Sequence, residues 1–402
     1  MEMNEGLSGW QKCKLGELTE IVTKGTTPST LGEGFTEYGV NFIKSEAVGY
    51  DGRIDRSTFV FISPEMHEKL KRSQLKENDI LFSMAGVFLG KNAMVLDDML
   101  PANTNQALAI IRINQKKALP KFIHYFFRNP CTIEFVNNIS GQSAQPNINF
   151  QEIKSIEINL PEIPEQKAIA AVLSSLDDKI DLLHRQNKTL ESMAETLFRH
   201  WFIEEAQDDW GEYSVSDFAD HFKENVVPAK SKSEYYHHYS LPAFDDGKRP
   251  NLELGSEILS NKYKVVEHSI LVSKLNPKVP RIWPVSSLPS KNSICSTEFQ
   301  VLKPKNIKLY GYLLFLLRSN DAVDALSMAA SGTSGSHQRV RPEDIFNIKT
   351  ILPSLASAEQ YSDMVIPGIA KTSSNLSQIE TLEKIRDTLL PKLMSGEVRV
   401  EV

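Results

Sequence analysis

Cysteine is scarce, since the 402 residues include only Cys13, Cys131 and Cys295, which lie far apart. An odd number at such spacings excludes a disulfide framework and indicates reduced thiols, as in the cytoplasm. Long apolar runs are also missing, because the longest candidate, 310–317, is much shorter than the roughly 18 residues of a membrane span. The opening MEMNEGLSGWQK lacks the basic and apolar regions of a signal peptide. We therefore expect a cytoplasmic protein with no membrane segment.

Motifs of enzyme active sites are absent as well. The adjacent His237 and His238 would point to opposite faces of a strand, and no cysteine or acidic residue stands at ligand spacing. The chain has no phosphate-binding loop G-x-x-x-x-G-K-[ST] and no cofactor loop of the form F-x-G-x-G. These absences predict a non-catalytic recognition or scaffolding protein that has no catalytic residue, metal ligand or bound cofactor of its own.

An excess of basic charge is lacking too, since the formal net charge is −6. The negative charge is concentrated, because residues 165–209 contain ten acidic and five basic side chains. Residues 271–310 contain seven lysines and arginines and one acidic residue, Glu298. Attraction to phosphates acts over about 8–10 Å at physiological ionic strength. The net charge therefore does not exclude a basic surface that faces DNA.

A long heptad repeat occupies residues 163–202 and predicts a coiled-coil helix of roughly 60 Å. Its apolar seam runs through Ile169, Leu173, Leu176, Ile180, Leu183, Asn187, Leu190, Ala194, Leu197 and Trp201. Asn187 is either tolerated at a wet seam or fixes the register of the helices, and we favour the second interpretation. Asp177, Asp178 and Asp181 are expected to be exposed charge on the outer face.

The chain is an internal duplication of about 190–200 residues. Trp210 repeats the opening at Trp10, and a second helix at 357–394 repeats the first. The second seam is Val365, Ile369, Thr372, Leu376, Ile379, Leu382, Ile385, Leu389 and Leu393. Two equal helices joined by one intervening domain pair antiparallel most simply. We therefore predict an α+β protein in which two similar α/β domains are separated by an antiparallel coiled coil. The domains are expected at 1–160 and 209–354. The first helix is expected at 161–208, and the second helix with the C-terminal tail at 355–402.

Several loops combine cations with amide or hydroxyl groups, as DNA readers require. The candidates in the first copy are Lys44, Ser45, Lys91, Asn92, Gln142, Ser143, Gln145 and Asn147. Those in the second copy are Lys230, Lys232, Lys248, Arg249, Lys274, Lys278, Arg281, His337, Gln338, Arg339 and Arg341. The loops before Ile153 and Ile345 are the strongest candidates, because they recur at equivalent places in both copies.

The chain resembles the specificity (S) subunits of type I restriction–modification systems over essentially its whole length. The residues that carry the resemblance are the openings at Trp10 and Trp210, LPEIPEQKAIAAVLSSLDDKIDLL at 160–183, LESMAETLFRHWF at 190–202 and LLPKLMSGEVRV at 389–400. The second copy departs from the pattern, because LASAEQ at 355–360 lacks the proline of P-x-x-E-Q and Pro367 falls early in its helix.

The resemblance implies a non-catalytic subunit with two target-recognition domains, each reading half of a split sequence in double-stranded DNA. It also implies two methyltransferase (M) subunits docked on the helices, with S-adenosylmethionine, and restriction (R) subunits that use ATP and Mg²⁺ to defend against foreign DNA. A competing hypothesis is a non-catalytic coiled-coil adaptor with two β-rich protein-binding domains. An enzyme with an unrecognised site is a third possibility.

Overall fold

The computed structural model describes residues 9–86, 89–139, 147–330 and 339–401. The chain divides into two compact units. Unit 1 is Met1–Ile180 together with Thr381–Val402, and unit 2 is Asp181–Glu380.

In unit 1 an antiparallel four-stranded sheet has the order β2-β8-β5-β6, and a three-stranded sheet has the order β4-β3-β7 with β3 and β7 parallel. The strands are β1 (Gln11–Lys14), β2 (Thr19–Lys24), β3 (Val40–Ile43), β4 (Val60–Ile62), β5 (Ile80–Ser83), β6 (Asn92–Met94), β7 (Ala102–Thr104), β8 (Leu108–Ile113) and β9 (Glu157–Leu160). The helices are α1 (Leu15–Leu18), α2 (Pro64–Lys69), α3 (Pro120–Arg128), α4 (Pro130–Ile139), α5 (Phe150–Ser155) and the start of α6 (Ile163–Arg199). Strands β1 and β9 pair antiparallel, so this domain begins and ends at adjacent strands.

In unit 2 the strands are β10 (Gly211–Ser214), β11 (Ala219–Phe222), β12 (Asn225–Val226), β13 (Tyr235–Tyr239), β14 (Asn251–Leu254), β15 (Lys262–Lys264), β16 (Ser269–Ser273), β17 (Ile282–Val285), β18 (Ser293–Ser296), β19 (Phe299–Pro304) and β20 (Lys349–Leu352). The helices are α7 (Val215–Phe218), α8 (Leu241–Asp245), α9 (Tyr310–Arg318), α10 (Asn320–Ala330), α11 (Pro342–Phe346) and most of α12 (Leu355–Ser395). A π-helical turn, His200–Glu204, ends the first long helix.

The sheet topology repeats between the two units. The order β11-β19-β16-β17 repeats β2-β8-β5-β6, and the β10–β20 pair repeats β1–β9. Strands β14, β13 and β18 repeat β4, β3 and β7, including the parallel pair, and β12 and β15 extend this sheet in unit 2. The structure thus confirms the predicted α+β class and the internal repeat.

Each unit buries parts of both long helices in its core. In unit 1, Ile169 and Leu173 of α6 and Leu390 and Leu393 of α12 join the cluster around Phe122. In unit 2, rings meet at Tyr312, which lies 5.5 Å from Phe198 of α6 and 5.3 Å from Phe218 between ring centroids. Truncating one such buried ring to alanine typically costs about 3–5 kcal/mol. The helices are therefore structural parts of both domains.

The two long helices run antiparallel within each unit, as predicted. In unit 1 the Arg386 guanidinium contacts Asp177, and Arg399, just beyond α12, contacts Glu165. In unit 2 the Tyr361 hydroxyl donates to the Ala194 carbonyl oxygen at 2.8 Å. As residue numbers rise along α6, the numbers of the contacting residues in and just beyond α12 fall, which defines an antiparallel pair.

Burial varies along both seams. Ile169, Leu173, Ile180, Leu183, Ala194, Val365, Ile369, Ile379 and Leu393 are buried. Leu176, Asn187, Leu190, Leu197, Trp201, Thr372, Leu376, Leu382 and Leu389 are half-buried, and Ile385 is exposed. Helix α12 continues unbroken through Pro367, although proline removes one helical hydrogen bond. Val365 and Ile369, which flank Pro367, pack into the core of unit 2, and this packing keeps the segment helical.

Asn187 of α6 has a partner that the heptad analysis did not identify. The Asn375 amide nitrogen donates to Asn187 Oδ1 at 2.7 Å and to Gln186 Oε1 at 3.0 Å. Asn375 is fully buried. If the two helices slipped out of register, this buried amide pair would break and the fold would lose stability, because each amide would then lose its hydrogen bond. This geometry supports our interpretation of Asn187 as a register residue.

Two short helices of unit 1 start at clear local signals. Helix α3 ends at Arg128, just before Pro130, and Pro130 begins α4. Proline is well tolerated in the first helical turn, where its missing N–H has no intrahelical partner to lose. Helix α5, which precedes β9, starts where Asn149 and Glu152 form a capping box.

Candidate nucleic-acid interface

In unit 1 the connection between β5 and β6 lies against the segment that leads into α5. Ala85 and Asn147 form an antiparallel bridge, and the Ile148 amide donates to the Met84 carbonyl at 2.9 Å. Asn149 Oδ1 accepts hydrogen bonds from two amides of the first turn of α5. The cap fixes residues 147–149 at the start of α5, next to 84–85. We call the described segments 84–86, 89–91 and 147–149 paired loops 1.

Unit 2 has the same arrangement between β16 and β17. Leu275 and Arg339 form an antiparallel bridge, and the Val340 amide donates to the Lys274 carbonyl at 3.0 Å. The Arg341 amide donates to Asp344 Oδ2 at 2.7 Å, which fixes the start of α11. We call the described segments 274–281 and 339–341 paired loops 2. The sequence predicted these loops separately, and in both copies the fold joins their described ends by a backbone bridge.

Cations with exposed side chains stand at and near paired loops 2. Lys278 is exposed on the β16–β17 connection, and Lys230 and Lys232 are exposed elsewhere in the same unit. Arg339 contacts Glu298 at 2.8 Å, and the largely exposed Arg341 contacts Asp344 at 3.3 Å. Exposed ion pairs contribute about 0–1 kcal/mol, so phosphates could replace these carboxylates at small cost.

Candidate cations of unit 1 lie over aromatic rings. The Lys91 ammonium is 3.9 Å from the centroid of Tyr50, and burial lowers the pKa of Lys91. The Lys44 ammonium is 4.7 Å from the Phe35 centroid and 3.9 Å from Glu46, which also accepts from Ser45 Oγ at 3.4 Å. The ring of Tyr50 is 67% exposed. Our sequence reasoning missed this tyrosine, although it stands in a Gly-Tyr-Asp-Gly turn that could have marked it.

Three candidates make internal contacts, but only the burial of Asn92 contradicts its predicted role, and Arg281 and Lys248 stay predictions. Asn92 is 3% exposed, and its Oδ1 lies 2.8 Å from His124 Nδ1, which leaves no base-reading edge. The Arg281 guanidinium donates two hydrogen bonds to Asp245, at 2.7 and 2.9 Å, and the same bonds raise the pKa of Arg281. Lys248 is partly buried 5.3 Å from the Phe244 ring centroid, and burial lowers its pKa. Packing fixes all three.

The remaining candidates have mixed positions. Gln142, Ser143, Gln145, His337 and Gln338 lie outside the described residues and stay predictions. Asn147 is exposed at the bridge of paired loops 1, while Lys274 and Arg249 are half-buried in unit 2.

Asp177 is not the exposed charge that the heptad pattern predicted. Its Oδ2 accepts hydrogen bonds from the Tyr125 hydroxyl at 2.7 Å and from Arg128, and its Oδ1 accepts one from Arg386 at 3.0 Å. Burial alone would raise the pKa of Asp177, but Arg128, Tyr125 and Arg386 together lower it. Asp178 is exposed as expected, and Asp181 is half-buried and lies 2.9 Å from Arg185.

Within the described ranges, no group of three or more His, Cys, Asp or Glu side chains is arranged to hold a metal ion. No helix of that part of the chain is both long and apolar enough to span a bilayer. The three cysteines are all free thiols.

Comparisons with known proteins give the context of this geometry. Residues 7–192 match the family described as type I restriction modification DNA specificity domain. The type I restriction enzyme MjaIX specificity subunit of Methanocaldococcus jannaschii is 28% identical over 75% of this chain and 74% of its own length. The putative MjaX specificity subunit of the same organism is 23% identical and covers 100% of this chain and 96% of its own length. The crystal structure of a type I S subunit from M. genitalium has the same fold, with a TM-score of 0.63 at 15% identity, covering 100% and 99% of the two chains.

The repeated domains and the antiparallel helices give the chain the fold of a type I S subunit, and residues 7–192 match a DNA specificity domain. The first half of the chain therefore matches the DNA specificity domain of type I restriction–modification systems, and the whole chain is similar to specificity subunits of such systems.

Proposed function

We propose that paired loops 1 and paired loops 2 each read one half of a bipartite target in double-stranded DNA. The observation that carries this proposal is the recurrence of the same backbone bridge, Ala85–Asn147 and Leu275–Arg339, in the two repeats. Two loops joined at their bases can enter a major groove as one element, where amide and guanidinium groups distinguish bases. Exposed cations such as Lys278 then hold phosphates and set the position along the duplex.

We further propose that the long helices set the number of unread base pairs between the half-sites and dock the M subunits. Both helices carry residues of both units, and each packs into both cores. The proposed complex contains two M subunits with S-adenosylmethionine and joins R subunits that use ATP and Mg²⁺, so adenine methylation and cleavage occur on partner subunits in the cytoplasm. The proposed target-recognition domains are 1–160 and 209–354. The proposed spacer helices are 161–208 and, with the C-terminal tail, 355–402.

Salt dependence of DNA binding tests this function against the adaptor hypothesis. A protein that binds DNA releases counterions from it, so the logarithm of its binding constant falls linearly with the logarithm of the salt concentration. A protein-binding adaptor shows no such steep dependence on salt. We expect Lys278→Ala to reduce the slope by about one and to weaken binding to all sequences alike. The control is Lys349→Ala in β20, because Lys349 pairs with Glu212 at 2.8 Å, outside the paired loops. Salt-independent binding would favour the adaptor.

Exchange of a whole domain tests the split reading. Strands β10 and β20 pair, so replacing 211–352 by the corresponding domain of a relative joins the chain at adjacent strands. We expect the recognised bases to change in one half-site only, as measured by mapping methylated adenines with the assembled methyltransferase. A change in both half-sites would show that the two domains do not read independently.

A further inference from the structure

In each repeat, one connection joins the DNA-facing loop to the long helices. In unit 1 this is the turn 49–53 between β3 and β4, which we call tie 1. Its first contact is Tyr50 beneath the Lys91 ammonium, at the end of the β5–β6 connection. Its last contact is the Arg53 guanidinium, which donates to the Asp177 backbone oxygen of α6 at 3.1 Å. The four residues from Tyr50 to Arg53 therefore connect paired loops 1 with the helix pair.

The contacts around tie 1 form a closed ring. Asn92, which follows Lys91, meets His124 of α3 at 2.8 Å, and Arg128 of the same helix binds the Asp177 carboxylate. His124 stays neutral, because burial lowers its pKa to about 3. Arg386 brings α12 to the same carboxylate. A closed ring of short contacts resists rotation of the loop against the helices better than any single contact.

Gly52 allows the turn to approach α3. Its φ of +81° lies in the region that favours glycine. A Cβ there would lie 2.8 Å from Arg128 Cδ and 2.9 Å from His124 Cε1. The backbone of tie 1 therefore packs directly against α3, whose Arg128 binds Asp177.

Unit 2 has a counterpart with different residues. Segment 244–248 between β13 and β14, tie 2, binds Arg281 through Asp245 at 2.7 Å, and Arg281 precedes β17 as Lys91 precedes β6. Arg318 ends α9 as Arg128 ends α3, and it pairs with Glu191 of α6. The loop contact thus recurs in unit 2, with an ion pair where unit 1 has a cation over a ring, and the contact from the end of the short helix to α6 recurs through Arg318 and Glu191.

We propose that ties 1 and 2 are positioning elements that hold each DNA-reading loop at a fixed orientation to the helix pair, and thereby set how strictly the complex measures the gap between half-sites. The inference rests on the proposed function. A half-site displaced by one base pair moves by about 3.4 Å along the duplex. A loop held by the ring cannot follow that shift, whereas a released loop can.

The test uses the full chain assembled with its M subunits. Methylation rates are measured on duplexes with the native gap and with one base pair more or fewer. We expect Arg53→Ala to lower the ratio of native to shifted rates about tenfold, within the usual range of coupling between sites, while the bases read stay the same. The matched control is Arg56→Ala, because Arg56 binds Asp98 on the surface at 2.7 and 2.8 Å.

Asp245→Ala provides a second variant if Arg53→Ala fails to fold, and we expect the same loss of gap discrimination from tie 2. A discrimination ratio that is unchanged in the folded variant, with all rates lowered alike, would overturn the inference. An equal loss in Arg56→Ala would also overturn it. If the wild-type complex itself shows no gap preference, the proposed function fails and this inference fails with it.

Discussion

Deleting 182–188 from α6 together with 373–379 from α12 is expected to shift the recognised target to a gap about three base pairs shorter. One heptad of helix is about 10 Å long, and one base pair rises roughly 3.4 Å. The two segments face each other, as the Asn187–Asn375 contact shows, so the seam keeps its register after the double deletion. Methylation of the native target should fall about a thousandfold, because one half-site is no longer read.

The measurement is the methylation rate on a series of duplexes that differ only in the gap. A matched control is Asn187→Leu with Asn375→Leu, which removes the amide pair and leaves the helix length unchanged, so its preferred gap should be that of the wild type. Deletion from α6 alone should lose activity on every duplex, because the two seams no longer match. A double deletion that keeps the native gap would show that helix length does not set it.

Asp177→Ala is expected to destabilise unit 1 by about 3–5 kcal/mol at pH 7, because it leaves the buried cations Arg128 and Arg386 without their shared anion. Denaturant unfolding of the full chain measures this loss. Asp178→Ala is the control, since Asp178 is exposed on the same turn of α6 and should change stability by about 0.5 kcal/mol or less.

The pH dependence of this stability follows from the lowered pKa of Asp177. An unfolded aspartate has a pKa of about 3.9. Stabilisation by a carboxylate whose folded pKa is lower is fully present above that value and disappears as pH falls through the folded pKa. The difference between wild type and Asp177→Ala should therefore shrink below about pH 4. A difference that stays constant down to pH 2 would contradict this account of the network.

The antiparallel helices could be predicted from the sequence because a 3.5-residue repeat leaves one physical solution, a partner helix. Likewise, matching landmarks 190–200 residues apart predicted two similar domains. The candidate interface was predictable only as separate loops. Lys278 and Arg281 look alike in the sequence, three positions apart, yet Lys278 is exposed and Arg281 is bound to Asp245. Sequence spacing does not show which side chain a distant carboxylate will reach.

The sequence by itself determined the heptad seam, the duplication and the polar character of the loops, because periodicity, repetition and composition are local properties of the chain. Only the tertiary structure decided which loops pair, that Asn92 is buried, and that Asn375 is the partner of Asn187. It also decided that Asp177 joins α3 to both long helices, although the heptad pattern placed it on an exposed face. These outcomes depend on contacts between residues up to about two hundred positions apart, and a contact of that kind depends on how the surrounding elements pack.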